Sequence, residues 1–139
     1  MAQLQSLSIQ GKNLTDSLTK VKRTTFTVLG ANQAIIDRTG NVCTMYIDGK
    51  MNRIPDADSW SNISLGTIPL GYRPTTPIRG TFFCDGLDDW AKNFQVGTLS
   101  GYNDLYLFTR AKSYIVSSLG DGHGYWIFLT YITNDDFPS

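Results

Sequence analysis

The most chemically suggestive stretch of this sequence is a short acidic loop that ends on a tryptophan. Asp85, Asp88 and Trp90 lie in segment 84–90, where charged residues are densest. An exposed tryptophan ring stacks on the C–H groups of a sugar, and neighbouring carboxylates accept hydrogen bonds from its hydroxyls. The pattern therefore predicts a saccharide-binding loop. Two alternatives stay open: a calcium site, although the D-x-D-x-D-G spacing is missing, and a hairpin tip with Trp90 folded onto the core.

The single histidine, His123, lies between glycines in segment 120–124. Glycines allow close approach of the backbone to a ligand, and the same pattern also fits a plain surface turn. Catalysis is not predicted, because the chain has no G-x-S-x-G, P-loop or H-E-x-x-H motif. It has no glutamate, and its 12 acidic residues are all aspartates, which turns favour. No carboxylate pair stands out as the acid and base of a glycosidase, and no cofactor is implied.

Composition limits the partners and the compartment. At 139 residues the chain has the length of one domain. Its 12 basic and 12 acidic residues balance, and no basic stripe marks a nucleic-acid surface. No apolar run approaches the roughly 20 residues that span a bilayer, and the first residues lack a signal-peptide pattern. We expect no nucleic-acid or membrane partner, and synthesis in a cytoplasm.

The cysteines have a structural interpretation. Cys43 and Cys84 lie inside predicted strands, where an unpaired cysteine acts as a small buried hydrophobe. A metal site would need more ligands than two cysteines and one histidine offer. We expect reduced core thiols and no metal.

From residue 23 onward the chain has the pattern of a β-protein. Runs rich in β-branched and aromatic residues alternate with Gly, Asn, Asp and Pro at intervals of about 8–12 residues. Tight turns are predicted at 38–41 and at Asp48-Gly49. The predicted strands are 24–29, 34–37, 42–47, 51–54, 60–68, 78–84, 92–98, 105–109, 114–117 and 125–133. This pattern favours an all-β, jelly-roll-like sandwich or barrel.

The predicted last strand is apolar on both faces. Its alternating residues are Tyr125, Ile127, Leu129 and Tyr131 on one side and Trp126, Phe128, Thr130 and Ile132 on the other. One face would meet the core, and the other needs a cover. We expect a subunit interface around a threefold axis to provide that cover. Covering loops are the alternative.

The only helical pattern is N-terminal. Heptad spacing relates Leu4, Leu7, Leu14, Leu18 and Val21. A seam this short is marginal as an isolated helix, so a helical neck and an extended leader both fit. We divide the chain into a neck or linker, residues 1–22, and a β-sandwich head, residues 23–139.

A proline-bounded connector, Ile-Pro-Leu-Gly-Tyr-Arg-Pro, occupies residues 68–74. Proline fixes φ and lacks an amide donor, so Pro69 and Pro74 exclude a central strand or a helix between them. The connector must hold Tyr72 and Arg73 in a defined place. We expect this pair to lock loops or a subunit seam rather than to bind a ligand.

The order of four sequence pieces resembles a known family. The pieces are 41–44 (Asn-Val-Cys-Thr, after Gly40), 68–74, 94–101 and 129–133 (Leu-Thr-Tyr-Ile-Thr), which cover roughly residues 40–133. Together they resemble the receptor-binding heads of tail fibres and baseplates of phages that infect Gram-positive bacteria, of the lactococcal type. The Gly-Tyr-Arg-Pro piece is the most specific of the four.

The resemblance implies a homotrimeric head in the virion, at the tail tip or baseplate. Such a head binds host cell-wall polysaccharide without catalysis and joins other tail or baseplate proteins through its N-terminus. A receptor binder should present its site at the end away from residue 20. The alternative within the same setting is a structural tail-tip or baseplate subunit whose loops bind another virion protein.

The resemblance also implies site residues. Related heads often carry a His-x-Asp pair on the strand after the acidic loop and a tryptophan on the next strand. Here the corresponding positions hold Gln95, an amide that donates and accepts, and Tyr106, a ring that can stack. The expected saccharide-binding set is Asp85, Asp88, Trp90, Gln95, Tyr106 and His123.

Trp90→Ala tests the acidic loop. If the ring is an exposed sugar platform, the variant should lose cell binding while its melting temperature stays unchanged. Labelled protein on bacterial cells measures the first quantity, and thermal unfolding measures the second. A large fall in melting temperature would place Trp90 in the core.

Overall fold

The computed structural model describes residues 8–9, 12–13, 20–51, 62–84, 94–108 and 123–139. These residues form eleven β-strands and one 3-10 turn at Leu29–Ala31, with no α-helix among them. The strands are β1 Ser8–Ile9, β2 Lys12–Asn13, β3 Val21–Val28, β4 Asn32–Thr39, β5 Val42–Met51, β6 Asn62–Thr67, β7 Arg79–Thr81, β8 Phe83–Cys84, β9 Gln95–Gly97, β10 Asp104–Phe108 and β11 His123–Ile132. The expected all-β class is confirmed.

Two antiparallel sheets pack around one core. The five-stranded sheet has the order β3-β4-β5-β11-β8, and the four-stranded sheet has the order β6-β10-β9-β7. β1 and β2 pair only with each other. Apolar side chains from both sheets fill the space between them, including Ile36, Met45, Val96 and Leu107, each with no exposed surface. Burial of these side chains is the main force that holds the two sheets together.

We name the two ends of the molecule by their distance from Lys20. The near end holds Lys20, whose carbonyl accepts from Gly40 N–H at 3.0 Å. Thr133 N–H donates to Asn41 O at 2.9 Å at the same end. At the far end, Met51 pairs with His123 in the five-stranded sheet.

β11 alternates as expected on its core side, where Tyr125, Ile127, Leu129 and Tyr131 are each at most 5% exposed. On its other side, Phe128 is 65% exposed and Ile132 is 54% exposed. The alternative in which loops cover the second face is therefore wrong at these two residues. A cover by another subunit remains a prediction.

The predicted hairpin turn at Asp48-Gly49 is wrong. Both residues lie inside β5, which continues to Met51, and they pair with Trp126 and Tyr125. Glycine is needed here for close packing rather than for a turn, because a Cβ atom on Gly49 would lie 2.8 Å from the Tyr125 ring.

The helical alternative for the N-terminal segment is wrong where that segment is described. Ser8–Ile9 and Lys12–Asn13 are paired strands, and Val21 begins β3 opposite Thr39. A short heptad seam gains too few hydrogen bonds to offset the cost of helix nucleation, whereas β3 gains a full ladder along β4. The remaining heptad residues, Leu4, Leu7, Leu14 and Leu18, lie outside the described residues, as do segments 52–54 and 114–117 of the predicted strands.

Cys43 is a free, fully buried thiol. Burial raises the pKa of this thiol to about 11, so it stays neutral at physiological pH and is a poor nucleophile. The expected core role is confirmed for Cys43, whereas the side chain of Cys84 is outside the described part of the chain.

A buried arginine joins several segments at the near end. Arg38, predicted to begin a turn, instead lies in β4 and is 1% exposed. The reversal itself is at Gly40, whose φ of 57° favours glycine. The Arg38 guanidinium donates to the carbonyl oxygens of Gly40 at 2.7 Å, Asp135 at 2.8 Å, Asp136 at 3.1 Å and Gly71. Because its donors are satisfied, the cation is tolerated in the interior.

The proline-bounded connector is fixed from the C-terminal tail. Asp135 Oδ2 accepts from the backbone N–H groups of Gly71 at 2.9 Å and Arg73 at 3.0 Å. Tyr131 donates its hydroxyl to the carbonyl of Tyr72 at 2.7 Å. Tyr72 is 3% exposed, as its expected structural role requires.

Arg38→Met should destabilise the protein strongly. The variant keeps the apolar stem but leaves several buried carbonyl groups without a donor, so the free energy of unfolding should fall by about 3 kcal/mol or more. Urea denaturation measures this change. Arg23→Met is the matched control, since Arg23 is exposed and pairs with Asp37 at 2.6 Å on the surface, where solvent screens the pair and its loss should change stability little. Equal losses in the two variants would contradict the role given to Arg38.

Candidate functional site

The structure describes part of the predicted saccharide-binding set. Asp85, Asp88 and Trp90 lie outside the described residues. His123 begins β11 at the far end of the five-stranded sheet. Gln95 and Tyr106 are in the other sheet, so the described part of the set does not form one cluster.

Gln95 and Tyr106 share the outer face of the four-stranded sheet. Phe108 pairs with Gln95, and Tyr106 pairs with Gly97. Residues paired across antiparallel strands point to one face, as do residues two apart along a strand. Their neighbours Leu105 and Leu107 have no exposed surface and belong to the core, so Tyr106 and Gln95 lie on the opposite, outer side.

An aromatic row runs along this outer face. The ring of Tyr102 meets that of Tyr106 edge to face, with 6.3 Å between centroids. The Tyr106 ring lies 6.3 Å from that of Phe108, over which the guanidinium of Arg79 lies at 3.9 Å. Tyr102 is the exposed end of the row, with 62% of its surface accessible.

Asp104 is held beside this row. Its carboxylate accepts from the hydroxyls of Ser64 and Thr67, both at 2.7 Å. Partial burial raises the pKa of Tyr106, and the charge of Asp104 raises it further. The Tyr106 hydroxyl therefore stays protonated near neutral pH and can donate a hydrogen bond.

A cleft of about 240 Å³ opens at Tyr102. Its first wall is formed by Ile68, Arg73 and Pro74 of the connector and by the residues that follow it, 75–77. Its second wall is segment 98–103, which joins β9 to β10. Ile68 N–H donates to Asn103 O at 2.9 Å, and Thr98 N–H donates to Ile78 O at 3.1 Å. Backbone hydrogen bonds thus join the walls at both ends, and the cleft is formed before any ligand binds.

The cleft is at the near end, opposite to where a receptor site was expected. Thr75 N–H donates to Ile132 O at 2.9 Å, at the same end as Lys20. The expectation of a site far from residue 20 rested on the acidic loop, which is outside the described residues, and that loop stays a separate prediction.

The cleft presents polar groups beside an aromatic ring. The hydroxyls of Thr75, Thr76 and Ser100 and the amide of Asn103 line it, and the structure gives these side chains no hydrogen-bond partner within the described part of the chain. The described lining contains neither a carboxylate nor a histidine. Such a set can hold a polar ligand, but it lacks the titratable pair of general acid–base catalysis.

No three His, Cys, Asp or Glu residues come together as metal ligands in the described ranges. In those ranges no helix is long and apolar enough to cross a membrane.

A second surface is apolar. On the outer face of the five-stranded sheet, Phe128 pairs with Tyr46, and Trp126 pairs with Phe83 at 5.5 Å between ring centroids. Phe83 is 58% exposed and Tyr46 is 43% exposed. We call Tyr46, Phe83, Trp126 and Phe128 the aromatic face. A continuous exposed apolar surface of this kind is typical of a binding site.

A scan against protein-family models finds no match to this chain, and a search of curated proteins finds none either. Its function is therefore inferred from the residues and geometry described above.

Most residues of the cleft are not predicted from the sequence as site residues. Tyr102 and Asn103 are absent from the predicted saccharide-binding set, and Arg73 is expected to lock loops or a subunit seam. Prolines in the connector and Ser100-Gly101 in the facing segment mark each wall separately as a loop. No sequence signal shows that the two loops face each other, because their contact depends on how the strands of the four-stranded sheet are ordered.

Proposed function

We propose that this protein is a phage receptor-binding protein, a jelly-roll-like head that attaches the virion to a host cell-surface saccharide without catalysis. The cleft beside Tyr102 is the observation that carries the proposal. It combines an exposed ring with unpaired hydroxyl and amide groups, which is the chemistry that recognises sugars.

The shape of the cleft supports a small ligand. At about 240 Å³ it is smaller than the roughly 300–1,000 Å³ pockets that enclose drug-sized molecules, so it suits one sugar unit of a longer chain. Its walls are joined by backbone hydrogen bonds, and preformed walls reduce the entropy lost on binding. Gln95 and Tyr106 continue the same face beyond Tyr102 and would contact the next unit of a polysaccharide.

A homotrimer is part of the proposal. The aromatic face offers a surface that a second subunit would cover, and β11 was expected to use this side for that purpose. One sugar site binds weakly, whereas three sites on one tip, repeated over many tips, raise the overall affinity by avidity. The N-terminal segment would connect the head to other tail or baseplate proteins of the virion.

A second candidate function is a structural tail-tip or baseplate subunit. The aromatic face favours it, because a flat apolar surface fits a protein partner better than a sugar polymer. The two candidates predict different results for polysaccharide binding.

Tyr102→Ala should weaken polysaccharide binding without changing stability, since the ring is mostly exposed. The measurement is saturable binding of labelled protein to purified envelope polysaccharides from a panel of Gram-positive bacteria. Leu70→Ala is the control, because Leu70 is 72% exposed and belongs neither to the cleft lining nor to the aromatic face. Binding should fall at least about tenfold in Tyr102→Ala, as for the loss of one stacking contact of about 1.4 kcal/mol, and stay unchanged in Leu70→Ala.

If folded wild-type protein binds no polysaccharide in the panel, the structural-subunit function is favoured instead. If binding is saturable but unaffected in Tyr102→Ala, the sugar site lies elsewhere, and the acidic loop is the next place to test.

Phe128→Ser should weaken assembly. Because Phe128 is 65% exposed, the substitution should leave the folded head intact while removing apolar contact from the subunit interface. Light scattering should show a trimer for the wild type and a lower mass for the variant. Leu70→Ser is the control, as Leu70 is 72% exposed on the connector and away from the aromatic face. A monomeric wild type, or an unchanged mass in Phe128→Ser, would contradict the trimer interface.

A further inference from the structure

We infer that the cleft beside Tyr102 selects an acidic sugar, one that carries a carboxylate or a phosphate group. This inference rests on the proposed saccharide-binding function and names the charge of the ligand. Arg73 is the residue whose positive charge would bind the negative group of the sugar.

Arg73 is held in place by its backbone and by one side-chain nitrogen. Its N–H donates to Asp135 Oδ2 at 3.0 Å, and its Nε donates to Ile68 O at 3.2 Å. Among the described residues, neither Nη1 nor Nη2 of Arg73 has a hydrogen-bond partner, and Arg73 takes part in no ion pair there. Arg73 is half-buried and lines the cleft, and the terminal donors of its guanidinium remain available.

The carboxylates around the cleft are already engaged. Asp135 accepts from the backbone N–H groups of Gly71 and Arg73. Asp104 accepts from the hydroxyls of Ser64 and Thr67. Neither belongs to the cleft lining, in which Arg73 is the only charged residue among those described.

The guanidinium suits this ligand by its geometry. Its planar set of N–H groups donates parallel hydrogen bonds to the two oxygens of a carboxylate or phosphate, and such charge-assisted bonds are stronger than neutral ones. The hydroxyls of Thr75 and Ser100 would then bind the sugar hydroxyls, and the ring of Tyr102 would contact the apolar face of the sugar. The acid group would fix the orientation of the sugar in the cleft.

The test compares three small ligands on the whole chain: glucuronic acid, a hexose phosphate and neutral glucose. Titration followed by backbone amide NMR gives the affinity and shows whether the shifts map to residues 98–103. An acidic sugar should bind at least about tenfold more tightly than glucose, the effect of one charge-assisted hydrogen bond. The two acidic ligands distinguish carboxylate from phosphate, and added salt should weaken both more than glucose.

A pair of variants, Ser100→Asp and Ser100→Asn, tests the effect of a negative charge in the cleft. Ser100 is exposed in a turn, where aspartate is well tolerated, and the new carboxylate would repel an anion beside Arg73. Both Ser100→Asp and Ser100→Asn remove the hydroxyl, and the two new side chains have nearly the same shape and differ in charge. Acidic-sugar binding should therefore be at least about tenfold weaker in Ser100→Asp than in Ser100→Asn. Because Arg73 itself is unchanged, its structural hydrogen bonds are preserved.

The outcomes separate the two proposals. If glucose and the acidic sugars shift the same cleft amides with equal affinity, the saccharide function stands and the acidic preference is wrong. If Ser100→Asp and Ser100→Asn bind acidic sugar equally well, the preference is wrong as well. If no sugar shifts the cleft amides and no polysaccharide binds, the saccharide function itself fails.

Discussion

The near end of this protein depends on one buried cation, the guanidinium of Arg38. A charge removed from water is tolerated only when its donors are satisfied, and here backbone carbonyls from the Gly40 reversal, the connector and the C-terminal tail satisfy them. These segments are far apart in sequence, and none has a regular ladder that would fix it. One side chain therefore sets the positions of several loops, and Asp135 continues the network by holding the amides of Gly71 and Arg73.

This network is what relates the fold to the proposed site. The connector forms one wall of the cleft, so the contacts that fix its backbone also fix the position of Arg73. The other wall is fixed by the four-stranded sheet through Thr98 and Asn103. Since both walls are held before a ligand arrives, little conformational entropy is lost on binding. A site on otherwise irregular loops thus has the rigidity that selective recognition of a small sugar requires.

The two outer surfaces differ in chemistry, and that difference supports a division of roles. The four-stranded sheet presents phenol, amide and guanidinium groups that lead to the cleft. The five-stranded sheet presents the aromatic face, where Phe83 and Phe128 are more than half exposed. A polar, preformed cleft suits a carbohydrate, whereas a flat apolar face suits another protein surface. A head that binds sugars on one side and its own copies on the other would combine weak single sites into avid attachment.

Local pattern by itself determined that this chain is all-β, with alternating strands such as β11, because side-chain alternation and turn residues act over a few positions. It also located the connector and placed Gln95 and Tyr106 on strands. Tertiary structure decided the rest. Asp48-Gly49 has the composition of a turn, yet the pairing of β5 with β11 keeps it extended, and Gly49 makes room for the Tyr125 ring. Arg38 looks like a surface turn residue, yet its guanidinium is buried because carbonyls from the adjacent Gly40 reversal and from two distant segments, the connector and the C-terminal tail, accept its hydrogen bonds. The cleft likewise exists only because sheet order brings two separate loops together, and that order depends on long-range packing rather than on any local signal.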